Sequence, residues 1–386
     1  MIVTSDFECG NGKQIRRVAD RHYIITERGD KVTYCYYFCF RIAAETPEEA
    51  GDVLVEVVGD PDLEHDEVKD VGTVGLIGHT PCNIWYTRWG HWKALPAPRV
   101  EFTRTSIRAT VPVHHDDPVT VTNVVPATLT DTTDFLKCLA EKCPEHSEYV
   151  EVGESCEGRS FPGIRITDGL NANGKIRAVC FSGQHPIEFP GVWGTRGIAE
   201  YLTGLLPEAA EYRRRFDVWV LPLVNPDGTV MGNNNFNAKG EEVMSAGAAS
   251  EGELPDITEA RSLWEFLDPA PPELMLNIHC YCGWGSFVEP PYNGVYFLKD
   301  EYFGDQSRLK RQKMIEEFAR FKTTGLSGHT RPSITGENSF HAQMAMKHGT
   351  CGFLYEINAG NQGPWGCSHE GIAAFRAMAD GYLAGR

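Results

Sequence analysis

No stretch of this 386-residue sequence approaches the run of about 18 apolar residues that a membrane-spanning helix needs. The opening MIVTSDFECG lacks the basic segment and apolar stretch of a secretory leader. Positive charge is scarce: 36 Lys and Arg stand against 53 Asp and Glu, a formal net charge of −17. A surface of that sign repels phosphate, which excludes a broad nucleic-acid or anionic-membrane interface and disfavours acidic substrates. Repeats, low-complexity tracts and long single-sign runs are also missing. With 41% hydrophobic and 23% charged residues, the chain can bury a real core. Its 12 cysteines are spread over the whole length instead of forming the dense framework of a small secreted domain. They read as reduced thiols, and the expected compartment is the cytoplasm.

What is present divides into two grammars. From Tyr23 to about Val125, short apolar or alternating runs (YCYYFCFRI, DVLVEVVGD, NIWYTRW, VTVTNVV) are separated by Gly, Pro, Asp and Asn, the pattern of antiparallel β-structure. From Thr130 the chain changes. TDTTDFLKCLAEKC places a capping Thr or Asp before a helical pattern, and strand-like runs then alternate with helices. The expected division is therefore near Pro126, into residues 1–125 and 126–386. In the second part KIRAVCFSG, RFDVWVLPLVN, ELMLNIHC and CGFLYEI are continuous apolar runs, as strands covered on both faces require. Between them lie the helical patterns VWGTRGIAEYLTGLL, RSLWEFL, QSRLKRQKMIEEFARF and GIAAFRAMADGYLAG. The alternation predicts an α/β fold with a mixed or parallel sheet and helices on both faces. A ligand site is then expected beyond the carboxyl ends of the strands. Residues 233–256, rich in Asn, Gly, Ala and Glu, read as a long loop near it.

The residues that can do chemistry gather at those strand ends. His185 and Glu188 follow KIRAVCFSG on a strand-to-helix turn, where an imidazole and a carboxylate three residues apart can face one ion. On its own the pair is equally a surface turn. His279 ends ELMLNIHC at the same edge, and two His with one Glu leave the open position of a catalytic zinc set. Glu356 ends CGFLYEI, where an acidic residue in an apolar strand is costly to bury. A general base beside metal-activated water would justify that cost, as an ion pair to a neighbouring Arg also would.

Taken together, SGQHPIEFPG, VLPLVNPDGTVMGN, LNIHCYCGWG and FLYEINAG resemble the four core segments of the zinc metallocarboxypeptidases, the funnelins. DFECGNG, YYFCFRI and TRWGHWKALP resemble parts of the β-sandwich domain that precedes the catalytic domain in the cytosolic carboxypeptidase branch. The resemblance implies a carboxypeptidase-like domain, with a mixed and mostly parallel sheet covered by helices, behind an all-β sandwich. It implies one zinc ion held by His185, Glu188 and His279, with Glu356 as general base and acid. It also places Tyr281 at a position that lines the substrate cleft.

The departures from the family pattern concern substrate binding. The family carries an Arg after the NPDG segment and an Asn-Arg pair about ten residues later, which hold the substrate's terminal carboxylate. Here those positions are Asn235, Met244 and Ser245. A neutral amide cannot copy the bidentate, permanently charged grip of a guanidinium. Asn233, Asn234 and Asn235 offer amide donors, and Lys239, Arg196 and Arg331 are the cations at hand. The family's mobile Tyr is absent before Glu356; SITGENSFHAQ lies there, with His341 as its polar contributor. Two further groups read as packing or solvated turn: Cys280 with Cys282, and His114-His115-Asp116-Asp117. The expected activity is zinc-dependent hydrolysis of a peptide or small amide without an Arg clamp. An N-acyl amine or amino-acid deacylase on the same fold, or a binding protein that has lost turnover, are the alternatives.

Overall fold

The computed structural model describes residues 1–30, 37–61, 83–103, 106–244, 254–281, 293–320, 329–332, 340–358 and 362–386. Ser245, Cys282 and the whole of SITGENS lie outside the described residues, as do the side chains of Tyr281 and Arg331. The first part is built from β1 (Ile2–Thr4), β2 (Gln14–Ala19), β3 (His22–Thr26), β4 (Cys39–Ala43), β5 (Gly51–Val58), β6 (Trp85–Arg88), β7 (His91–Ala94), β8 (Val100–Phe102), β9 (Ser106–Val113) and β10 (Val119–Thr122). Among the described residues these form two five-stranded sheets, ordered β1-β4-β10-β6-β7 and β2-β3-β5-β9-β8. Alternation decides what each buries. Val53, Val55 and Val57 of β5 and Ile107, Ala109 and Val111 of β9 face Phe40, Ile42, Val119 and Val121 of the other sheet in one shared core. The result is a β-sandwich. Its strands pair antiparallel except β3 with β5, which run parallel.

The second part contains α1 (Leu129–Lys142), β11 (Ser147–Glu154), β12 (Ser160–Ile166), β13 (Ile176–Ser182), α2 (Phe189–Thr203), α3 (Pro207–Arg215), β14 (Phe216–Leu221), α4 (Pro226–Met231), α5 (Thr258–Leu267), β15 (Leu274–Tyr281), β16 (Gly294–Phe297), α6 (Asp305–Arg320), β17 (His329–Pro332), α7 (Phe340–His348), β18 (Cys351–Asn358) and α8 (Pro364–Ala384). The helix-start signal lay two residues earlier than expected: Thr128 is the cap, its side chain accepting from the Asp131 amide at 3.1 Å.

Eight strands form one sheet in the order β11-β12-β14-β13-β15-β18-β16-β17. The middle four, β14, β13, β15 and β18, pair in parallel and carry the continuous apolar runs. Helices cover both faces. Ala178, Cys180, Leu276, Ile278, Phe353 and Tyr355 pack against α2, α6 and α8. Val179, Phe181 and Met275 pack against Leu263, Trp264, Phe340 and Met344 of α5 and α7.

Two glycines shape the edge that carries the chemistry. Gly183, after β13, turns the chain at φ +71°, a conformation few other residues adopt readily. Gly191, in the first turn of α2, lies so close to β15 that a Cβ there would stand 2.4 Å from the Ile278 carbonyl oxygen. The start of α2 is thereby seated directly against the strand that delivers His279.

Candidate functional site

His185 leaves the end of β13, Glu188 sits at the N-terminal cap of α2, and His279 is near the end of β15. The Glu188 side chain makes no capping bond to its own helix. Its carboxylate turns to the imidazoles: Oε1 lies 2.8 Å from His185 Nδ1 and Oε2 2.6 Å from His279 Nδ1. The Cys280 amide also donates to Oε2, at 3.2 Å. The two rings meet edge to face with centroids 5.0 Å apart.

The far nitrogens of both rings are engaged as well. His185 Nε2 is 3.1 Å from Glu242 Oε1. His279 Nε2 is 3.3 Å from Gln184 Oε1, an oxygen that also accepts from Asn277 Nδ2 at 2.6 Å. An acceptor at each Nε2 favours a proton there, so that a metal ion taking the place of the proton shared with Glu188 would meet Nδ1, the tautomer a metal ligand requires.

The three side chains fit a small cation. One donor atom from each lies within 4.8 Å of the others. Bonds of about 2.0–2.2 Å to a tetrahedral zinc would spread such donors only slightly from these hydrogen-bond distances. The electrostatics agree. Burial would lower His185, but the Glu188 carboxylate and then Glu242 outweigh it and push the ring up from 6.5 to about 10. Burial would raise Glu188, but His279 and His185 outweigh it and hold the carboxyl at about 2, down from 4.5. A cluster that holds a proton this strongly is one a divalent cation can occupy in its place.

Glu356 stands beside this set. Parallel pairing of β15 with β18 aligns His279 with Glu356, and alternation puts both side chains on the same face. Glu356 is half-buried.

The remaining candidates are distributed unevenly. Asn235 is buried, at 5% exposure. The preceding carbonyl, Asn234 O, accepts from the Ile187 amide, between the two ligands of that turn. Asn233 spends its amide on the carbonyls of Phe236 and Asn237, 3.2 Å each, so it shapes the loop. Lys239 is exposed on the following turn. Arg196 does not reach the site. It is buried between Phe135 and Trp193, 4.4 and 4.3 Å from the ring centroids and 4.0 Å from Asp131, because α2 carries it back toward α1. His341 is not on an exposed helix. It is buried under the sheet, stacked on Phe181 at 6.3 Å, and burial together with the nearby His279 lowers it to about 3. The His114–Asp117 segment is a turn whose Asp117 accepts from the Trp89 amide.

Four residues of the site went unread in the sequence. Gln184 and Asn277 adjoin the ligands in segments already singled out, and their spacing on the strand was the available signal. Glu242 lies two residues before Met244 in a loop of several acids. Asp30 has no local signal: it reaches the site loop from the β-sandwich, accepting from the Asn235 and Phe236 amides at 2.5 and 3.1 Å.

A family model described as zinc carboxypeptidase matches residues 132–245, which hold His185, Glu188 and Glu242. Over that stretch, under a third of its length, the chain is similar to zinc carboxypeptidases. The fold is that of metallo-carboxypeptidases, and in sequence the chain is also similar to cytosolic carboxypeptidases. Cytosolic carboxypeptidase 6 of Mus musculus is 23% identical over 245 residues, 61% of this chain and 44% of that protein. Metallocarboxypeptidase A of Trichophyton tonsurans is 35% identical over 107 residues, 25% of this chain and 24% of that one. The chain thus spans less than half the length of these curated relatives. Among solved structures, the metallo-carboxypeptidase from Pseudomonas aeruginosa in complex with (2-guanidinoethylmercapto)succinic acid superposes with a TM-score of 0.78 at 18% identity, covering 100% of both chains. The Burkholderia cenocepacia metallo-carboxypeptidase gives 0.77 at 16% identity, covering 99% of each. Both show the family's fold extending over the sandwich as well. No helix among the described residues is long and apolar enough to cross a membrane.

Proposed function

We propose that this protein is a zinc-dependent amide hydrolase that binds its substrate without the family's arginine clamp. The alignment of Glu356 with His279 across β15 and β18, beside the cluster of His185, Glu188 and His279, carries this reading. A single zinc ion held by His185 Nδ1, Glu188 and His279 Nδ1 would supply Lewis-acid polarisation of a carbonyl and a lowered pKa for water. Glu242 and Gln184 keep the two imidazoles in the ligating tautomer. Glu356 takes the proton from the attacking water and delivers it to the leaving amine nitrogen, so one carboxylate serves as base and then acid. Asn235 presents a neutral amide to the substrate, in place of a guanidinium. The substrate is a peptide or a small N-acyl amide, and the likeness to cytosolic carboxypeptidases supports a cytoplasmic setting. We place the domain division at residue 126, with residues 1–125 as the sandwich and 126–386 as the catalytic domain.

The test is metal content and turnover on one preparation. About one zinc per chain is expected, with loss of amide hydrolysis on chelation. Glu356→Gln is expected to keep the zinc and lower kcat by about 10³. Less than half an equivalent of zinc, or unchanged turnover in Glu356→Gln, would sink the proposal.

A further inference from the structure

We infer that Glu259 of α5 is a positioning residue of the metal site: it holds Asn237, and the turn that Asn237 closes sets Glu242 against His185. The inference rests on the hydrolase reading above and gives its metal site a support that starts outside the loop. Glu259 is fully buried, where a carboxylate is costly to keep. Its bonds leave its own helix. Oε1 accepts from the Cys156 amide at 3.0 Å, and Oε2 accepts from Asn237 Nδ2 at 2.8 Å. Asp227 beside it ties down the same 155–159 turn, accepting from the Glu157 amide at 2.7 Å and from Arg159 Nη1 at 2.6 Å. Cys156, Asp227 and Glu259 bring donor atoms within 4.8 Å of one another, a spacing a cation could use. Protein donors already occupy these oxygens, so the cluster acts as a tie between elements.

The turn from Asn237 to Glu241 transmits that hold. Asn237 is also fully buried, and it grips Glu241 at three points. Its Oδ1 accepts from the Glu241 amide at 2.9 Å, its own amide donates to the Glu241 carbonyl at 2.9 Å, and its Nδ2 donates to Glu241 Oε2 at 3.0 Å. Oδ1 also accepts from the Lys239 amide at 3.0 Å, and Gly240, at φ +72°, lets the chain reverse. The next residue is Glu242, whose Oε1 lies 3.1 Å from His185 Nε2. With the amide and carbonyl of residue 241 both fixed, the Glu242 side chain starts from one place. An outer partner orients an imidazole only from hydrogen-bond distance, so a shift of about 1 Å in that start would release the ring.

The contact between α5 and the turn is specific in its donor and its acceptor. Asn237 spends its oxygen on the amides of the turn and its nitrogen on carboxylates. The isosteric Asn237→Asp therefore keeps the acceptor that closes the turn and sets two buried carboxylates against each other at Glu259. Glu241 is half-buried and can turn its own carboxylate to water. Glu259→Gln alone places a donor against one of two donors, the Cys156 amide or Asn237 Nδ2. With both changes the donor and the acceptor exchange sides, and the Cys156 amide keeps its acceptor.

Two readouts on the full-length chain test this: zinc affinity against a chelating dye, and the bonded proton on His185 Nε2, followed by nitrogen-edited NMR in chelated protein. Asn237→Asp is expected to weaken zinc about tenfold and to remove the proton signal. Adding Glu259→Gln to it is expected to return the signal and most of the affinity. Glu259→Gln alone is expected to weaken zinc about tenfold, yet to cost nothing further in a Glu242→Gln background, because it acts through that residue. Losses that add in the Glu242→Gln background overturn the inference, since a general loss of packing would add. So does a His185 signal that Asn237→Asp leaves unchanged, or a paired variant as weak as Asn237→Asp. Should Asn237→Asp fail to fold, the cycle of Glu259→Gln with Glu242→Gln decides alone. If wild type takes up no zinc but the signal is lost and regained as described, the hydrolase reading falls and the positioning role stands. If wild type binds zinc and the cycle is additive, the reverse holds.

Discussion

Glu188 is the charge on which the metal site turns. One carboxylate faces two imidazoles, and in chelated protein the cation between them is a proton, held largely on His185. The His185 value is raised to about 10, so the stabilisation it contributes is complete below its ordinary 6.5 and disappears as pH climbs through about 10. Glu188 is depressed to about 2, so its contribution is complete above 4.5 and disappears as pH falls through about 2. Chelated protein should therefore melt highest, with respect to this cluster, between pH 4.5 and 6.5, and lose stability from pH 7 to 10. Zinc must displace that proton, so its affinity should rise by about tenfold per pH unit over the same upper range. Melting curves and chelator competition at stepped pH check both slopes; a flat affinity would show that His185 carries no proton to displace. Removing the partner of that ring has its own consequence. Glu242→Gln should lower zinc affinity about 10–100-fold with little effect on folding, measured against a chelating dye. The clustering of His185, Glu188 and His279 was legible because residue type and strand end coincide in short segments. Glu242 and Asp30 were not, since each acts only through a contact made after folding, and an acid in an acidic loop carries no sign of which imidazole it will meet.

At the scale of elements, the site depends on how α2 meets β15. Gly191 allows the helix to rest on the strand one residue before His279, which fixes Glu188 against that ligand. Gly191→Ala puts a methyl 2.4 Å from the Ile278 carbonyl oxygen, and a backbone carbonyl cannot give way as a side chain can. The start of α2 must lift. Loss of about 1–3 kcal/mol of stability is expected, with a smaller zinc-induced rise in Tm than the wild type shows, because the same displacement carries Glu188 away from His279. Equal zinc-induced shifts in the two proteins would refute the coupling. The central strands could be read from the sequence since burial on both faces leaves an unbroken apolar run, as in IRAVCFS and CGFLYEIN. Strands at the sheet margin could not: SEYVEVGE of β11 keeps three carboxylates and buries little, so its pattern differs little from that of a polar loop. The burial of His341 could not be read for a related reason. Phe340, His341, Ala342, Met344 and Ala345 of α7 are all buried, and a helix sunk in the core shows no polar face from which its orientation can be inferred.

At the scale of the whole molecule, the sandwich is part of the active domain's surface. The compositional change near Pro126 marks where strands give way to helices, yet it carries no information on how closely the two parts adhere. Cys9, Tyr37, Cys39 and Val124 form one apolar cluster with Ile187, Phe189, Val192 and Leu223, and the Tyr37 and Phe189 rings meet edge to face at 5.5 Å. Ile187 and Phe189 flank Glu188 in sequence, so the sandwich covers the very turn that presents His185 and Glu188. Polar bonds continue the seam: Asn11 Nδ2 donates to the Gly232 carbonyl at 2.9 Å, the Cys9 amide to Val230 O at 3.0 Å, and Asp30 receives the amides of Asn235 and Phe236. A fragment of residues 126–386 would expose that apolar patch to water and leave two loop amides without their acceptor. It should be poorly soluble, and the soluble part should bind less than half the zinc per chain of the full protein. Asp30→Ala in the intact chain separates the two contributions. The apolar cover stays in place, so zinc content should hold while the loop carrying Asn235 loosens, seen as faster hydrogen exchange at the amides of 235 and 236 and restored by Asp30→Asn, whose oxygen still accepts. A fragment as soluble and as zinc-rich as the whole chain would show that the sandwich is an appendage, and unchanged exchange in Asp30→Ala would show that the loop holds itself.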